Sequence, residues 1–181
     1  MIEVEELAMP EVRLLRTRRF GDERGTFEET WRQSWAEELG ITELFVQHNH
    51  SYSRDRFTMR GLHFQLAPEA QGKLVRVLRG AVQDVAVDIR KDSPTFGQHV
   101  STRLDATTPA QLYIPPGFAH GFLTLEPHTD VQYQVTRYWS RDHERGLRYD
   151  DPEIGIAWEG EVEVINDRDS RHPPLAGLAT A

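Results

Sequence analysis

Cysteine is absent from this chain of 181 residues, and its absence excludes several kinds of chemistry at once. Without thiols the protein has no disulfide bonds, no cysteine nucleophile and no thiolate-bound zinc or iron–sulfur site. Long hydrophobic runs are also missing, since no stretch approaches the roughly 18 apolar residues that a membrane-spanning helix requires. The acidic segment Met1–Pro10 lacks the basic and apolar regions of a secretory signal peptide, so we expect a cytoplasmic protein with no membrane partner.

Basic residues are fewer than acidic ones: the chain has 21 lysines and arginines and 29 aspartates and glutamates, which gives a net charge of −8. Proteins that bind nucleic acid usually present a basic face, so we do not expect a nucleic-acid partner. An anionic ligand would need a locally cationic pocket. The chain length is that of one domain, and we expect a single domain over residues 1–181 in which residues 173–181 form a flexible tail.

Helical periodicity is scarce as well. Only Trp31–Leu39 places its large apolar residues on one face, and Gly40 follows in position to end a short helix. Most of the remaining chain consists of β-prone runs with turn residues at about ten-residue spacing, which is typical of a sandwich or barrel. The predicted strands are Glu11–Phe20 and Thr26–Thr30, which form a hairpin, then Leu44–Ser53, Thr58–Gln65, Lys73–Leu78, Val82–Ile89, His99–Leu104, Gln111–Ile114, Gly121–Leu125 and Val131–Trp139.

The run Val82–Ile89 alternates between two kinds of side chain. Val85 and Val87 lie on one face of the predicted strand, whereas Asp84 and Asp88 lie on the other. The second face is too polar for a dry core, so we expect it to line a ligand cavity inside the barrel.

The stretch Met59–Lys73 holds a single histidine, His63, between two cations, Arg60 and Lys73. In a regular strand Arg60 and His63 would point to opposite faces. Both side chains can reach one cavity only if the strand bends or bulges, and Gly61 is the residue that would permit it. We interpret this stretch as the centre of an active site.

Several motifs follow one another over roughly residues 10–175. They are FGDERGTFEE, FVQHNHS, RGLHFQ, QGKLVRVLRGAVQDVAVDIRKDSPTFG, QLYIPPGFAHGF and ERGLRYDDPEIGIAW. Together they resemble the dTDP-4-dehydrorhamnose 3,5-epimerase family. The resemblance implies an all-β, cupin-type jelly-roll β-barrel with short peripheral helices, a homodimer, and no metal or organic cofactor. It implies an enzyme that inverts C3 and C5 of dTDP-4-dehydro-6-deoxy-D-glucose to give dTDP-4-dehydro-L-rhamnose.

Inversion of a carbon next to a ketone requires a base on one face, a cation or donor at the enolate oxygen, and an acid on the other face. His63 is the candidate base, because an ordinary histidine, with a pKa of about 6.5, is largely neutral at working pH. Tyr133 is the candidate acid, since an ordinary tyrosine, with a pKa of about 10, keeps its proton there. Lys73, together with Arg60, would stabilise the enolate. Tyr133 could instead be a cross-strand packing residue.

A catalytic histidine benefits from a carboxylate on its other ring nitrogen, which fixes the tautomer and stabilises the imidazolium. The family resemblance points to Asp169 for this role, with Asp167 as the alternative. Asp84 is a third candidate and could instead orient Arg60 or Lys73.

The resemblance also implies a set of substrate-binding residues. Two of them, Arg24 and Phe27, would reach across a dimer interface, so that neither protomer has a complete site alone. The others would contact the nucleotide or its phosphates, and they are Glu29, Gln47, Asn49 and Arg60. Alternatively, Phe27 and Glu29 are hairpin packing residues and Arg24 is a solvated surface charge.

His120 raises the question of a metal, because it ends a P-x-G-x-x-H motif whose histidine is often a ligand in cupins. A metal site needs about three protein ligands. The residues after His63 do not supply the H-x-H pair that metal-binding cupins use, and Lys73, if it lies in the pocket, would repel a divalent ion. We therefore interpret His120 as a substrate-contacting or structural residue and predict no metal.

Four positions depart from the family pattern, namely His48, Gln83, Tyr113 and Gln134. None of them removes a proposed catalytic group, but they leave open an enzyme that inverts only C3 or only C5. A sugar ketoisomerase and a non-catalytic sugar-binding cupin are the remaining alternatives.

Overall fold

The computed structural model describes residues 2–178, and β-strands dominate that range. The strands are β1 (Glu3–Glu6), β2 (Arg13–Arg16), β3 (Arg19–Asp22), β4 (Gly25–Glu28), β5 (Gln47–Ser53), β6 (Met59–Gln65), β7 (Lys73–Arg79), β8 (Ala81–Asp88), β9 (His99–Asp105), β10 (Ala110–Ile114), β11 (Phe118–Thr124), β12 (Thr129–Val135) and β13 (Glu144–Gly146). The helical elements of this range are α1 (Gln33–Glu38) and two 3₁₀ turns, Asp169–Arg171 and Leu175–Gly177. No helix in residues 2–178 is long and apolar enough to cross a membrane.

Two antiparallel sheets face each other. One has six strands in the order β1-β2-β10-β7-β12-β5, and the other has five in the order β13-β6-β11-β8-β9. The β3–β4 hairpin forms a separate two-stranded sheet. Apart from the consecutive pairs β1–β2 and β8–β9, neighbouring strands within each of these two sheets come from distant parts of the chain, as in a jelly roll. This arrangement confirms the predicted all-β jelly-roll barrel and adds two strands that the sequence pattern did not indicate, β1 and β13. The predicted strand Glu11–Phe20 is divided into β2 and β3, of which only β3 forms the hairpin with β4.

The core between the sheets is built from the side chains that point inward along the strands of both sheets. Val75, Leu112 and Val131 of the six-stranded sheet share one cluster with Val82 and Phe122 of the five-stranded sheet. Each of these five residues is at most 4% exposed. Burial of such a side chain stabilises the fold by about 1.5–3 kcal/mol, so this cluster holds the two sheets together.

The outer faces of both sheets are also covered. Helix α1 places Trp35 in a cluster with Leu74, on the outside of the six-stranded sheet. The segment after β13 brings Leu147 and Ile154 against Val85, on the outside of the five-stranded sheet. Burial on both faces explains why all eight residues of β8 are buried.

Helix α1 is shorter than the predicted Trp31–Leu39. Trp31 precedes it and packs edge-on against Trp35, with 6.2 Å between the ring centroids. Gly40 ends the helix as predicted, because its φ of +67° favours glycine and its N–H donates to the Glu37 carbonyl at 3.1 Å.

Residues 173–178, the first part of the expected flexible tail, contact the rest of the domain. The Leu175 N–H donates to a carboxylate oxygen of Asp151 at 2.6 Å, and the Arg148 N–H donates to the Pro173 carbonyl at 3.0 Å. Leu175 also packs on the outer cluster of the five-stranded sheet. Residues 179–181, the rest of the expected tail, lie outside the described residues.

The two aspartates of β8 do not line a cavity, contrary to the expectation for that face. Both side chains are fully buried. Asp84 accepts a hydrogen bond from His120, which itself borders a cavity. Asp88 lies at the other end of the strand, where Arg90 and two hydroxyl groups donate to it. The polar face of β8 therefore carries two buried acids, each hydrogen-bonded to its own partners, and only Asp84 lies behind a cavity wall.

Asp88 should be needed for stability, because it anchors the loop that leads from β8 to β9. Burial raises the pKa of Asp88, but hydrogen bonds from Arg90, Ser93 and Thr95 outweigh that effect and hold the pKa well below its usual range. We expect Asp88→Asn to lower the free energy of unfolding by about 2–3 kcal/mol in urea titrations at neutral pH.

Because the pKa of Asp88 is depressed in the folded state, its contribution is present above the ordinary carboxylate pKa of about 4 and is lost as the pH falls further. The difference between wild type and Asp88→Asn should therefore shrink in acid. Asp92→Asn, an exposed position in the same loop, is the matched control and should change stability little. Equal effects of the two substitutions would contradict the anchoring role.

Candidate active site

Two adjoining cavities of about 430 and 370 Å³ lie between the sheets and share His63, Lys73 and Tyr133 in their walls. The first is also lined by Gln47, Asn49, Phe64, Gln65, Gln71, Trp139 and Glu144, and the second by His50, Ser51, Tyr52, Arg60, His120, Gly121, Phe122, Asn166 and Asp169. Most of the candidate residues therefore lie around one space. The side chains of β5, β7 and β12 form one wall, and those of β6 and β11 form the wall opposite.

A bulge in β6 brings Arg60 and His63 to the same space. His63 is opposite His120 and Arg60 is opposite Phe122, so two residues of β6 occupy the length of one residue of β11. Gly61 makes this possible, because its φ is +110° and an added Cβ would lie 2.7 Å from the His120 carbonyl oxygen. The predicted bulge at Gly61 is thus confirmed.

Asp169 is the carboxylate that contacts His63. The Nε2 atom of His63 donates to Asp169 Oδ1 at 2.9 Å, and the Gly61 N–H donates to Oδ2 at 2.9 Å. Burial raises the pKa of Asp169, but the interactions with His172 and His63 outweigh it and hold the pKa far below its usual range. The carboxylate is therefore charged, and it leaves the second ring nitrogen of His63, Nδ1, for a substrate.

Asp167, the alternative partner, is not brought to His63. Its side chain is 93% exposed and pairs with Arg171 at 3.3 Å. The difference arises because the 3₁₀ turn that begins at Asp169 directs that residue inward, where it is 1% exposed.

His172 was missed by sequence reasoning, although it lies beside the same carboxylate. Its Nε2 is 3.5 Å from Asp169 Oδ1, and its ring is nearly perpendicular to that of His63 at 5.4 Å between centroids. The ring occupies the space above Gly146, where an added Cβ would lie about 2.1 Å from it. The available signal was the spacing of Asp169 and His172, three residues apart in a turn.

Lys73 is buried in the wall opposite His63. Its Nζ donates to the His63 backbone oxygen at 3.1 Å, which links β7 to β6 across the space. Burial lowers the pKa of Lys73 to about 8, and the negative charges of Asp84 and Glu144 partly oppose that shift. The ammonium is mostly charged at neutral pH and borders both cavities.

Tyr133 lines the first cavity from the six-stranded sheet, whereas His63 lines it from the five-stranded sheet. Burial raises the pKa of Tyr133, and the positive charge of Arg60 only partly offsets this effect. The phenol therefore keeps its proton across the neutral range. A base and a proton donor thus approach the cavity from facing walls.

His120 and Asp84 form a buried pair behind His63. The His120 Nε2 donates to both oxygens of Asp84, at 2.9 and 3.1 Å. Burial lowers the pKa of His120, and the Asp84 carboxylate opposes that shift. Asp84 makes no hydrogen bond to Arg60 or Lys73 in the described residues. It is hydrogen-bonded to His120 and acts on Lys73 through its charge alone.

The predicted nucleotide contacts fall into two groups. Gln47 and Asn49 line the first cavity and are hydrogen-bonded to each other at 2.8 Å. Arg24, Phe27 and Glu29 lie outside both cavities, on and beside the β3–β4 hairpin. Arg24 pairs with Asp22 and Glu29 pairs with Arg32, as surface charges would. Within one protomer, these three residues are not brought to His63.

The arrangement defines an enzyme of the proton-transfer class on a jelly-roll barrel. Its cavities hold a histidine with an orienting carboxylate, a buried ammonium beside it, and a protonated phenol on the facing wall. These are the groups that removal and return of a proton next to a carbonyl require.

Comparison with known proteins identifies the family. The model of the dTDP-4-dehydrorhamnose 3,5-epimerase family matches residues 6–177. An enzyme of that name from Sinorhizobium fredii is 49% identical over 175 residues, which are 96% of this chain and 90% of that protein. The chain belongs to the dTDP-4-dehydrorhamnose 3,5-epimerase family, which confirms the family, the fold and the enzyme class predicted from its motifs.

Two solved structures show the range of related activities. The dTDP-6-deoxy-D-glucose-3,5-epimerase of Legionella pneumophila, in complex with dTDP-4-keto-L-rhamnose, has a TM-score of 0.94 and 40% identity, covering 98% of this chain and 95% of that one. ChmJ, a 3′-monoepimerase from Streptomyces bikiniensis in complex with dTDP-quinovose, has a TM-score of 0.87 and 31% identity, covering 95% and 87%. The fold is therefore shared by double and single epimerases.

Gly61→Ala should test the bulge that joins Arg60 to His63. The new Cβ would overlap the backbone of Gly121 and His120, so β6 must shift and the substitution should cost more than the about 1–3 kcal/mol of a strained backbone alone. Urea unfolding and epimerase activity are the measurements, and both should fall.

Gly25→Ala is the matched control for this experiment. Gly25 has a φ of +130° but nothing within 4 Å of an added Cβ, so it carries the backbone cost without the overlap. Equal losses of stability at the two positions would show that close packing of β6 on β11 does not shape the site.

Proposed function

We propose that this protein inverts C3 and C5 of dTDP-4-dehydro-6-deoxy-D-glucose and so forms dTDP-4-dehydro-L-rhamnose. His63, held by Asp169, removes the proton next to the ketone, and Lys73 with Arg60 stabilises the enolate. Tyr133 returns a proton to the opposite face. The names of the relatives support the substrate and the reaction.

One observation carries this proposal: His63 and Tyr133 border one cavity from facing sheets. A sugar ring bound between those walls presents one face to the base and the other to the acid. That is the geometry an inversion needs, whereas exchange on one face needs only the base.

We propose that Gln47, Asn49, Arg60 and His120 contact the substrate, since the first two line one of the adjoining cavities and the last two line the other. No metal or organic cofactor enters the proposed mechanism. A cytoplasmic location is also part of the proposal.

Deuterium incorporation tests the reaction directly. The protein is incubated with dTDP-4-dehydro-6-deoxy-D-glucose in D₂O, and NMR measures the label at each sugar carbon. We expect deuterium at C3 and C5 of the product. Label at only one carbon would identify a mono-epimerase like ChmJ, and no label would reject the enolate mechanism and leave a ketoisomerase or a binding protein.

Two substitutions separate the base from the acid in the same assay. His63→Asn should lower the rate by about 100- to 10,000-fold and remove deuterium uptake at both carbons, because no base remains. Tyr133→Phe should keep exchange with solvent at the face of His63 but lose inverted product. Tyr138→Phe is the control, since that side chain is 68% exposed and should matter little. The acid assignment fails if both tyrosine variants behave alike.

The site is proposed to be completed by a second copy of the chain. Phe20 and Phe27 pair across the β3–β4 hairpin and are 52% and 73% exposed. With Trp35 they line a groove of about 500 Å³. Exposed aromatic pairs of this kind are typical of an interaction surface, and a homodimer would let Arg24, Phe27 and Glu29 reach the partner's cavity.

Mixing two inactive variants tests this sharing of residues. If Arg24 acts in the partner's site, random dimers of His63→Asn and Arg24→Ala chains contain one intact site in each mixed dimer. Re-associated equimolar mixtures should then recover about a quarter of wild-type activity. If both residues serve the same protomer, mixing restores nothing, and size-exclusion chromatography shows whether mixed dimers formed.

A further inference from the structure

A cluster of three potential metal ligands surrounds the orienting carboxylate. The ligand atoms of His63, Asp169 and His172 all lie within 4.8 Å of one another. Asp169 Oδ1 is 2.9 Å from His63 Nε2 and 3.5 Å from His172 Nε2. A tetrahedral zinc ion holds such atoms at about 2.0–2.1 Å, which places its ligands about 3.3 Å from one another. The two separations from Asp169 Oδ1 lie on either side of that value, whereas the two imidazole nitrogens, within 4.8 Å of each other, must approach when the ion binds.

His172 is the unusual member of the cluster. Its side chain is 9% exposed, and its Nε2 has no hydrogen-bond partner among the described residues. A buried nitrogen without a partner costs free energy, and buried polar groups in proteins are rarely left so. Asp169 Oδ1 lies 3.5 Å from this nitrogen and already accepts a hydrogen bond from His63. A metal ion bound by all three side chains would give this nitrogen a partner.

The surroundings hold the three groups in place. The Gly61 N–H fixes Asp169 through Oδ2 and leaves Oδ1 for the cluster. The absence of a side chain at Gly146 leaves the room that the His172 ring fills. His63, with 31% of its side chain exposed, borders the cavity, so an ion can enter and keep a water ligand on that side.

We propose that His63, Asp169 and His172 form an inhibitory site for a divalent transition-metal ion, with Zn²⁺ as the preferred occupant. Two imidazoles and one carboxylate with an open fourth position are a ligand set that suits zinc, whereas Mg²⁺ prefers oxygen ligands. The neighbouring ammonium of Lys73 opposes the positive charge of the ion, so the affinity should be below that of structural zinc sites.

Inhibition follows from the protons on His63. The neutral ring carries one proton, on the Nε2 that donates to Asp169. A metal bound to Nε2 displaces that proton to Nδ1, the nitrogen left for the substrate, with no net gain or loss of protons. The ring can then accept no proton from a sugar carbon. Only this inhibitory consequence rests on the proposed function, because binding of the ion does not require it.

Calorimetric titration of the EDTA-treated full-length protein with Zn²⁺ tests the site. We expect one ion per chain, no comparable binding of Mg²⁺, and loss of epimerase activity that EDTA restores. Titration with Co²⁺ should give the visible absorption of a four-coordinate nitrogen and oxygen site in the wild-type protein, so the test does not depend on a variant folding.

His172→Asn and Asp167→Asn form the matched pair of variants. His172→Asn removes one ligand and should weaken Zn²⁺ binding by about tenfold or more. Asp167→Asn changes an exposed carboxylate in the same turn and should leave binding unchanged. Absence of Zn²⁺ binding, or equal binding by wild type and a folded His172→Asn protein, would overturn the proposal. Binding without inhibition would overturn its inhibitory part, and absence of any epimerase activity would instead count against the proposed function.

Discussion

The carboxylate of Asp169 is the contact on which the site depends. It accepts hydrogen bonds from the backbone of Gly61 and from His63, and so ties the end of the chain to the bulge in β6. Because the carboxylate is buried, its charge is stabilised only while these donors are present. One group therefore orients the candidate base and also fastens the C-terminal segment over the five-stranded sheet.

The two-layer fold meets a second requirement of the site, because it places the candidate base and the candidate acid on facing walls of the cavity. His63 belongs to one sheet and Tyr133 to the other, and the core between the sheets sets their separation. The Lys73 ammonium donates to the His63 carbonyl oxygen, so a buried cation links the two sheets at the site. Its depressed pKa reflects that burial and shows how the barrel alters the chemistry of an ordinary lysine.

Much of the site could be predicted from residue types and motif order. The need for a bulge at Gly61 followed from strand alternation alone, because Arg60 and His63 could not otherwise share a cavity. The polar face of β8 was predicted less well, since alternation cannot tell a cavity wall from a row of acids whose partners come from other strands. Asp84 is such a case, as its partner His120 lies on β11.

Sequence by itself determined the β-rich fold, the family and the types of residue available for proton transfer, because these depend on local periodicity and on motifs within short stretches. Tertiary structure decided which carboxylate meets His63 and that His172 joins it, since both residues arrive through a turn more than a hundred positions away. It also decided that Leu175 packs on the barrel rather than fraying, because the partners that bury it belong to other segments. Such contacts join distant parts of the chain, and no local pattern records them.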